Sequence, residues 1–403
     1  MNIIIVNDFA YVNGGAAQVA FDTAKLLAVH GHRVLLFSSV GPVAEDIKNT
    51  PGIEVVCLGQ QDILHDVNRM RAAIQGIYNA ATARAFREVL KSFSSDDTVI
   101  HIHALQKAIS ASIVPVANKM GFKILYHLHD YGVACPNLGF YDYKKKTICH
   151  RLALSASCLS CNCDRRSPLH KGWRILRQYM QHILGLPGHI DGFIAISDFS
   201  LQILQRYLGT KPVYMLPNII DVEKGECVDV TGKKAFLYVG RLAKEKGVTL
   251  FAEAARILQV PAIFVGSGEC EAEIKDIYPA ADMRGWLSHK EMESVWREAL
   301  ALVFPSRWYE GQPLTVCEAL AHGLPAIVPT QCAAMESVND GKTGLIFDNG
   351  SLESLVEKMI KMLEPGFAKV LSKNAYDSYW RKKWDADAYY DRLMGIYKNI
   401  HNR

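Results

Sequence analysis

Two carboxylates, two cations and a helix start are the groups in this chain whose spacing could do chemistry. Glu310 and Glu318 lie in the stretch Ser306-Arg307-Trp308-Tyr309-Glu310-Gly311-Gln312-Pro313-Leu314-Thr315-Val316-Cys317-Glu318, which runs on to Gly323-Leu324-Pro325. The preceding Ala299 to Phe304 is short and apolar, as a buried strand is. Gly311 and Pro313 open a turn and start a helix; Gly323 ends it and Pro325 keeps it from continuing. The helix start presents unpaired N–H groups that favour an anion. Carboxylates beside an anion site suit a ligand with both phosphate and hydroxyls, such as a nucleotide sugar. A second string, Gly240-Arg241-Leu242-Ala243-Lys244-Glu245-Lys246-Gly247, follows the apolar Ala235 to Val239. Arg241 offers a fork of donors and Lys246 a mobile point charge, and both suit a diphosphate.

The front of the chain repeats the theme. Residues 1–6 are apolar and β-branched, and a helix is expected from Ala16 to His30 with a second strand over 33–37. Gly14-Gly15 precede that helix, so the backbone there could approach a phosphate closely. The dinucleotide pattern G-x-G-x-x-G is absent, which weighs against a Rossmann-type oxidoreductase or epimerase. Strands are expected over 98–103 and 123–130, and 62–92 has a helical period. His103 and His129 then sit at carboxyl ends of strands, where ligands gather in parallel sheets. His103 and Asp130 are candidates for the acceptor side.

Ten cysteines are present, and five fall between 135 and 163. Cys135, Cys149, Cys158 and Cys161 could give four thiolates to a structural zinc, with buried thiols the plainer reading. The stretch 171–183 mixes Lys171, Arg174 and Arg177 with Trp173, Leu176 and Tyr179. It reads as a basic, aromatic-bearing helix for anionic lipid, or as an ordinary amphipathic helix with a solvated charged face. Asp385-Ala386-Asp387 lies among helix formers and reads as an exposed helix face, not a metal motif.

At 403 residues the chain exceeds one ordinary core, so two domains are expected. A net charge of +4 is too small to argue for nucleic acid. No run of about eighteen apolar residues is present to span a membrane. The N-terminus reads as a first strand without an export signal, which points to the cytoplasm. The domain linker is placed around 218–232, and the tail from 377 to 403 is expected to be helical.

Together these strings resemble the retaining glycosyltransferases of the family-4 type. The resemblance covers nearly the whole chain. It is carried by Gly14-Gly15, His129, Val239-Gly240-Arg241-Leu242 with Glu245-Lys246-Gly247, and Glu310 to Glu318. It implies a GT-B fold: α/β, two Rossmann-like domains facing across a cleft. The first would span 1–218 with a Cys-bearing insertion at about 131–190, the nucleotide-sugar domain 219–376, and the tail would pack back on the first. By resemblance Arg241 and Lys246 hold the diphosphate and Glu318 the ribose. Glu310 orients the sugar, and the backbone of Gly311, Gln312, Pro313, Leu314 and Thr315 lines sugar or phosphate, with N–H donors at all but Pro313. The region of Gly285 faces the base, Gly14 and Gly15 the phosphate, and His129 the transferred sugar. The catalytic set is then His129, Glu310, Arg241 and Lys246. No cofactor is required, and zinc would be separate from the transfer. The partners implied are a UDP- or GDP-sugar and a glycan or lipid-linked acceptor, without nucleic acid. Bacterial capsule or lipopolysaccharide assembly at the inner membrane face is the setting. A non-catalytic nucleotide-sugar-binding protein of the same fold remains an alternative.

Overall fold

The computed structural model describes residues 1–220, 222–381 and 385–402. The chain divides into two units. The first comprises Met1–Phe140, His150–Ile219 and Asp385–Arg403, and the second Tyr141–Cys149 and Ile220–Trp384. Residues 382–384 and 403 of the expected helical tail lie outside the described residues. Of the expected insertion, residues 141–149 belong to the second unit, so Cys149 does too.

Strands are numbered in chain order. The first unit holds β1 (Asn2–Val6), β2 (Arg33–Ser38), β3 (Ile53–Cys57), β4 (Thr98–Ile102) and β5 (Lys123–Leu128). The two-stranded hairpin β6 (Tyr141–Asp142) and β7 (Thr147–Ile148) lies in the second unit, and β8 (Gly192–Ala195) and β9 (Val213–Met215) return to the first. The first sheet runs β3-β2-β1-β4-β5-β8-β9, all parallel. Ile3, Ile4, Ile5 and Val6 are wholly buried. A strand covered on both faces reads as an unbroken apolar run, which is why no alternation shows in the sequence.

The second sheet comprises β10 (Ala235–Val239), β11 (Ala262–Val265), β12 (Asp282–Met283), β13 (Ala299–Val303), β14 (Ala326–Pro329) and β15 (Gly344–Phe347). Its order is β12-β11-β10-β13-β14-β15, again parallel. Each sheet changes winding direction once, between β1 and β4 and between β10 and β13. Ligands of open parallel sheets collect beyond the strand ends at such points.

Three expected elements differ. The helical period over 62–92 is two helices, Arg69–Ile77 and Ala80–Leu90. Tyr78 and Asn79 are extended, and the Asn79 side chain accepts from Thr82 N to start the second helix. Of the strand expected near Met283, only Asp282–Met283 is paired, because Gly285 turns the chain with φ +67°. Asp385 caps the Ala386–His401 helix, its Oδ1 accepting from Ala388 N at 2.9 Å, so that acidic pair starts the helix instead of lying along its side.

Candidate active site

The loop after β10 and the loop after β13 leave neighbouring strands at the second sheet's winding reversal. Gly247 makes their approach close. Its φ is +69°, and a Cβ there would run into the Pro305 carbonyl oxygen. Arg307 N also donates to Glu245 O at 2.9 Å. The two strings singled out from sequence are thereby stitched into one site.

Within it, Glu310 Oε1 accepts three hydrogen bonds: from Lys246 Nζ at 2.6 Å, Trp308 Nε1 at 2.6 Å and Ser306 Oγ at 2.7 Å. Oε2 accepts none among the described residues, so one oxygen is structural and the other is open to a ligand. The Lys246 ammonium also lies 5.3 Å from the centre of the Trp308 ring, within cation–π range. Arg241 pairs with the buried Glu245 at 2.7 Å while its own guanidinium stays half exposed. Both expected diphosphate cations therefore stand at the site with carboxylate partners.

The Leu314–Ala321 helix begins one residue later than the Pro313 start expected, with Pro313 as its cap and no side-chain cap bond. Its first N–H groups have no acceptor within the helix. Glu318 lies on this helix, half-buried, and its carboxylate has no partner among the described residues. Burial pushes its pKa up, and His289 pulls weakly the other way. Gly285 holds open space on its Cβ side.

In the first unit, the helix after β1 starts at Gly15, with Gly14 at its cap and no side chain closing the terminus. At the carboxyl ends of β4 and β5 the structure gathers four histidines where two were expected. Residues two apart on a strand share a face, and β4 and β5 pair in parallel with His101 opposite Leu125. His101 and His103 therefore meet His127 and His129. His103 Nδ1 lies 2.9 Å from His129 Nε2, and His127 Nδ1 lies 3.2 Å from His101 Nε2. His101 Nδ1 meets the Tyr397 hydroxyl at 2.8 Å. Burial pushes His101 down to about 3, and His103 and His127 well below the usual imidazole value. Ring nitrogens of His101, His103 and His127 come within 4.8 Å of one another. The expected acceptor-side residue His103 is buried and bonded to His129, so it orients that ring. Asp130 Oδ1 accepts from Gly132 N at 2.8 Å.

Sequence reasoning passed over several of these groups. His101 and His127 were signalled by the repeated H-x-H at two strand ends. Trp308 and Ser306 stood inside the quoted stretch, but nothing in their spacing showed them turned onto Glu310. Asp8, after β1, accepts from Lys107, Ala108 and Ile109 N at 2.8, 2.8 and 2.9 Å and fixes the loop after β4.

The cysteines are placed unevenly. Cys135, Cys158 and Cys163 are buried in the first unit, and Cys161 is half-buried there. Lys171 Nζ donates to Cys163 Sγ at 3.2 Å and reaches Cys158 Sγ at 3.8 Å. Burial would lower Lys171, but the sulfurs of Cys163, Cys158 and Cys135 outweigh it and its pKa rises. Cys135 is pushed up to about 11 by burial, which disfavours its thiolate. The expected charged face of 171–183 is corrected as well: Lys171 and Arg177 point inward and are buried.

Comparison with known proteins follows this geometry. The sequence model described as Glycosyltransferase Family 4 matches residues 13–224, and that described as Glycosyl transferases group 1 matches residues 223–378. One relative is the UDP-Gal:alpha-D-GlcNAc-diphosphoundecaprenol alpha-1,3-galactosyltransferase of Escherichia coli, 26% identical over 44% of this chain and 52% of its own. Another is a GDP-mannose-dependent alpha-mannosyltransferase of Corynebacterium glutamicum, 27% identical over 38% of this chain and 37% of its own. The chain thus spans about half or less of these curated relatives. Among solved structures, sucrose-phosphate synthase from Thermosynechococcus elongatus aligns over 99% of this chain and 98% of its own, with TM-score 0.73 and 16% identity. Anabaena HepE in complex with UDP aligns over 99% and 100%, with TM-score 0.70 and 15% identity. Those likenesses are of fold. With two parallel-sheet α/β units and a family match over more than half its length, the chain belongs to glycosyltransferase family 4 and has the GT-B fold.

Proposed function

We propose that the chain moves a sugar from a nucleotide-diphosphate sugar to a hydroxyl of a glycan or lipid-linked acceptor. The observation that carries this reading is the second sheet's reversal point, where Arg241, Lys246, Glu310, Glu318 and an uncapped helix start stand together. The acceptor hydroxyl oxygen attacks the anomeric carbon, the bond from that carbon to the diphosphate oxygen breaks, and the hydroxyl proton passes to the departing diphosphate. Charge grows on the leaving group, and Arg241, Lys246 and the N–H groups of Leu314 and Thr315 stabilise it. Attack on the face the leaving group departs from retains anomeric configuration without a protein nucleophile. Glu318 takes the ribose hydroxyls and Glu310 Oε2 the sugar hydroxyls; Gly285 lies towards the base. In the first unit, Gly14 and Gly15 serve the phosphate and His129 the sugar, its ring oriented by His103, with Asp130 on the acceptor side.

The names of relatives support the substrate class. The Escherichia coli relative is named for a UDP-sugar and a diphosphoundecaprenol acceptor, and HepE was solved with UDP-glucose. A lipid-linked acceptor in capsule or lipopolysaccharide assembly, met at the cytoplasmic face of a membrane, fits both. No three of the expected zinc ligands Cys135, Cys149, Cys158 and Cys161 form a metal-holding group among the described residues, so a structural zinc is not part of this reading.

The test of the transfer reading is thermal stability against UDP, GDP, ADP and NAD, repeated with Glu318→Ala and Arg241→Ala. A ligand at a hundredfold excess over its Kd stabilises by about 2.7 kcal/mol. A shift with one nucleoside diphosphate that both variants lose supports the reading, and a shift with NAD alone overturns it.

A further inference from the structure

The Pro168–Ile183 helix is turned inside out relative to an ordinary surface helix. Lys171 and Arg177 are buried beneath it, with Arg177 donating to the Gln106 and Pro136 carbonyls. Trp173 is drawn inward too. Its Nε1 donates to Ala73 O at 2.9 Å on the Arg69–Ile77 helix, and its ring lies against Gly76. A side chain at Gly76 would collide with that ring, so the glycine lets the two helices close up. Facing water instead are Leu169, Leu176, Tyr179 and Ile183, with Leu169 85% and Ile183 75% exposed. With Gly172 they fall at i, i+3, i+7, i+10 and i+14, one unbroken apolar seam. The partner helix continues it through Met70 and Ile74, preceded by Val67; Met70 is 77% exposed.

Contiguous exposed apolar surface of this kind marks an interaction site. The charges around it say with what. Residues 62–77 and 164–190 contain three carboxylates, Asp62, Asp66 and Asp164, and all three are buried. Asp66 and Asp164 are taken by Arg71 and Arg174. Arg69 donates only to backbone carbonyls, and Arg166 is exposed. The rim is therefore cationic with no exposed acid in either stretch. Two copies meeting here would oppose like charges, whereas an anionic lipid surface matches both rim and seam.

We propose that the seam of Leu169, Leu176 and Ile183, with Val67, Met70 and Ile74, docks the first unit onto an anionic membrane surface by inserting apolar side chains among the lipids. It goes beyond the transfer reading and uses none of its residues. It also replaces the expected attraction through Lys171 and Arg177, which are inside the fold.

The experiment is flotation of the full chain with vesicles of equal parts phosphatidylcholine and phosphatidylglycerol, against phosphatidylcholine alone. Wild type, Leu176→Glu, Ile183→Glu and Met70→Glu are compared. The expected result is binding to the anionic vesicles, weakened by high salt and by about tenfold or more in each variant. These side chains are exposed, so melting temperature and the nucleotide-induced shift stay at wild-type values, which separates this outcome from failure of the donor site. Absence of binding at low salt, or binding that the three variants leave unchanged, overturns the proposal. So does a wild-type dimer in light scattering that the variants dissociate while vesicles stay unbound, since the seam then serves a second copy.

Discussion

Lys246 Nζ stands 2.6 Å from Glu310 Oε1, and both side chains are largely buried. Buried pairs are held by geometry and by further hydrogen bonds, and removing one partner strands the other's charge. Here Ser306 and Trp308 supply the further bonds. The cation meant for phosphate and the carboxylate meant for sugar are thus one unit.

A double-mutant cycle tests that unit. Lys246→Met and Glu310→Gln should each lower stability, and the double variant should be less destabilised than their sum, with a coupling of about 1–3 kcal/mol in denaturant unfolding. Each single change should also cut kcat/KM on the order of a hundredfold. Strict additivity would mean that the contact carries no coupling.

Glu318 should behave oppositely in stability and in binding. Burial raises its carboxyl above the ordinary 4.5 and outweighs the opposing pull of His289. The folded state then holds a proton more readily than the unfolded chain, so ionised Glu318 costs stability at neutral pH. Glu318→Gln should therefore match or exceed wild-type melting temperature while weakening nucleoside diphosphate binding by about tenfold or more. Wild-type affinity should fall on acidification before an ordinary glutamate would titrate, and the variant should lose that dependence. Calorimetric titration across pH reads both.

Gly247→Ala should be costly out of proportion to its one added methyl. The left-handed backbone alone costs about 1–2 kcal/mol in a non-glycine residue, and the Cβ meets a carbonyl oxygen of the neighbouring loop. A lower melting temperature with lost nucleotide response is expected. Gly341→Ala, away from the site, is the control: it has a similar φ and open space, so only the backbone cost should appear.

Acid should loosen the first unit. His101, His103 and His127 are buried and kept neutral. Below about pH 6.5 the unfolded chain binds protons that the folded chain refuses, so stability falls as pH drops from there towards 3. Each such imidazole costs about 1.4 kcal/mol per pH unit in this window. Denaturant unfolding should steepen in its pH dependence below about 6.5, and His127→Gln should flatten it whatever its own effect at neutral pH.

Much of this was legible in the residues. The two αβ halves, the strands before both loops and the Glu310–Glu318 helix follow from apolar runs and glycine or proline stops, which are local signals. What was not legible depends on contacts between distant positions. No spacing shows that Lys171 would turn inward to Cys163, because that depends on what packs beneath the helix. The same holds for the pairing of His101 with His127, which needed the strand register. The Lys246–Glu310 contact spans 64 positions and needed the β10–β13 pairing.

The Ala386–His401 helix has a consequence for how the protein is made. Its Tyr389 hydroxyl reaches Thr23 at 3.2 Å, its Tyr397 completes the histidine group, and Leu393 and Ile400 are wholly buried. Yet it belongs to the unit that leaves the ribosome first. The first unit must therefore wait, with an apolar groove uncovered beside Thr23 and His101, until the entire second unit has been synthesised. A unit begun before the second is thus finished only after it.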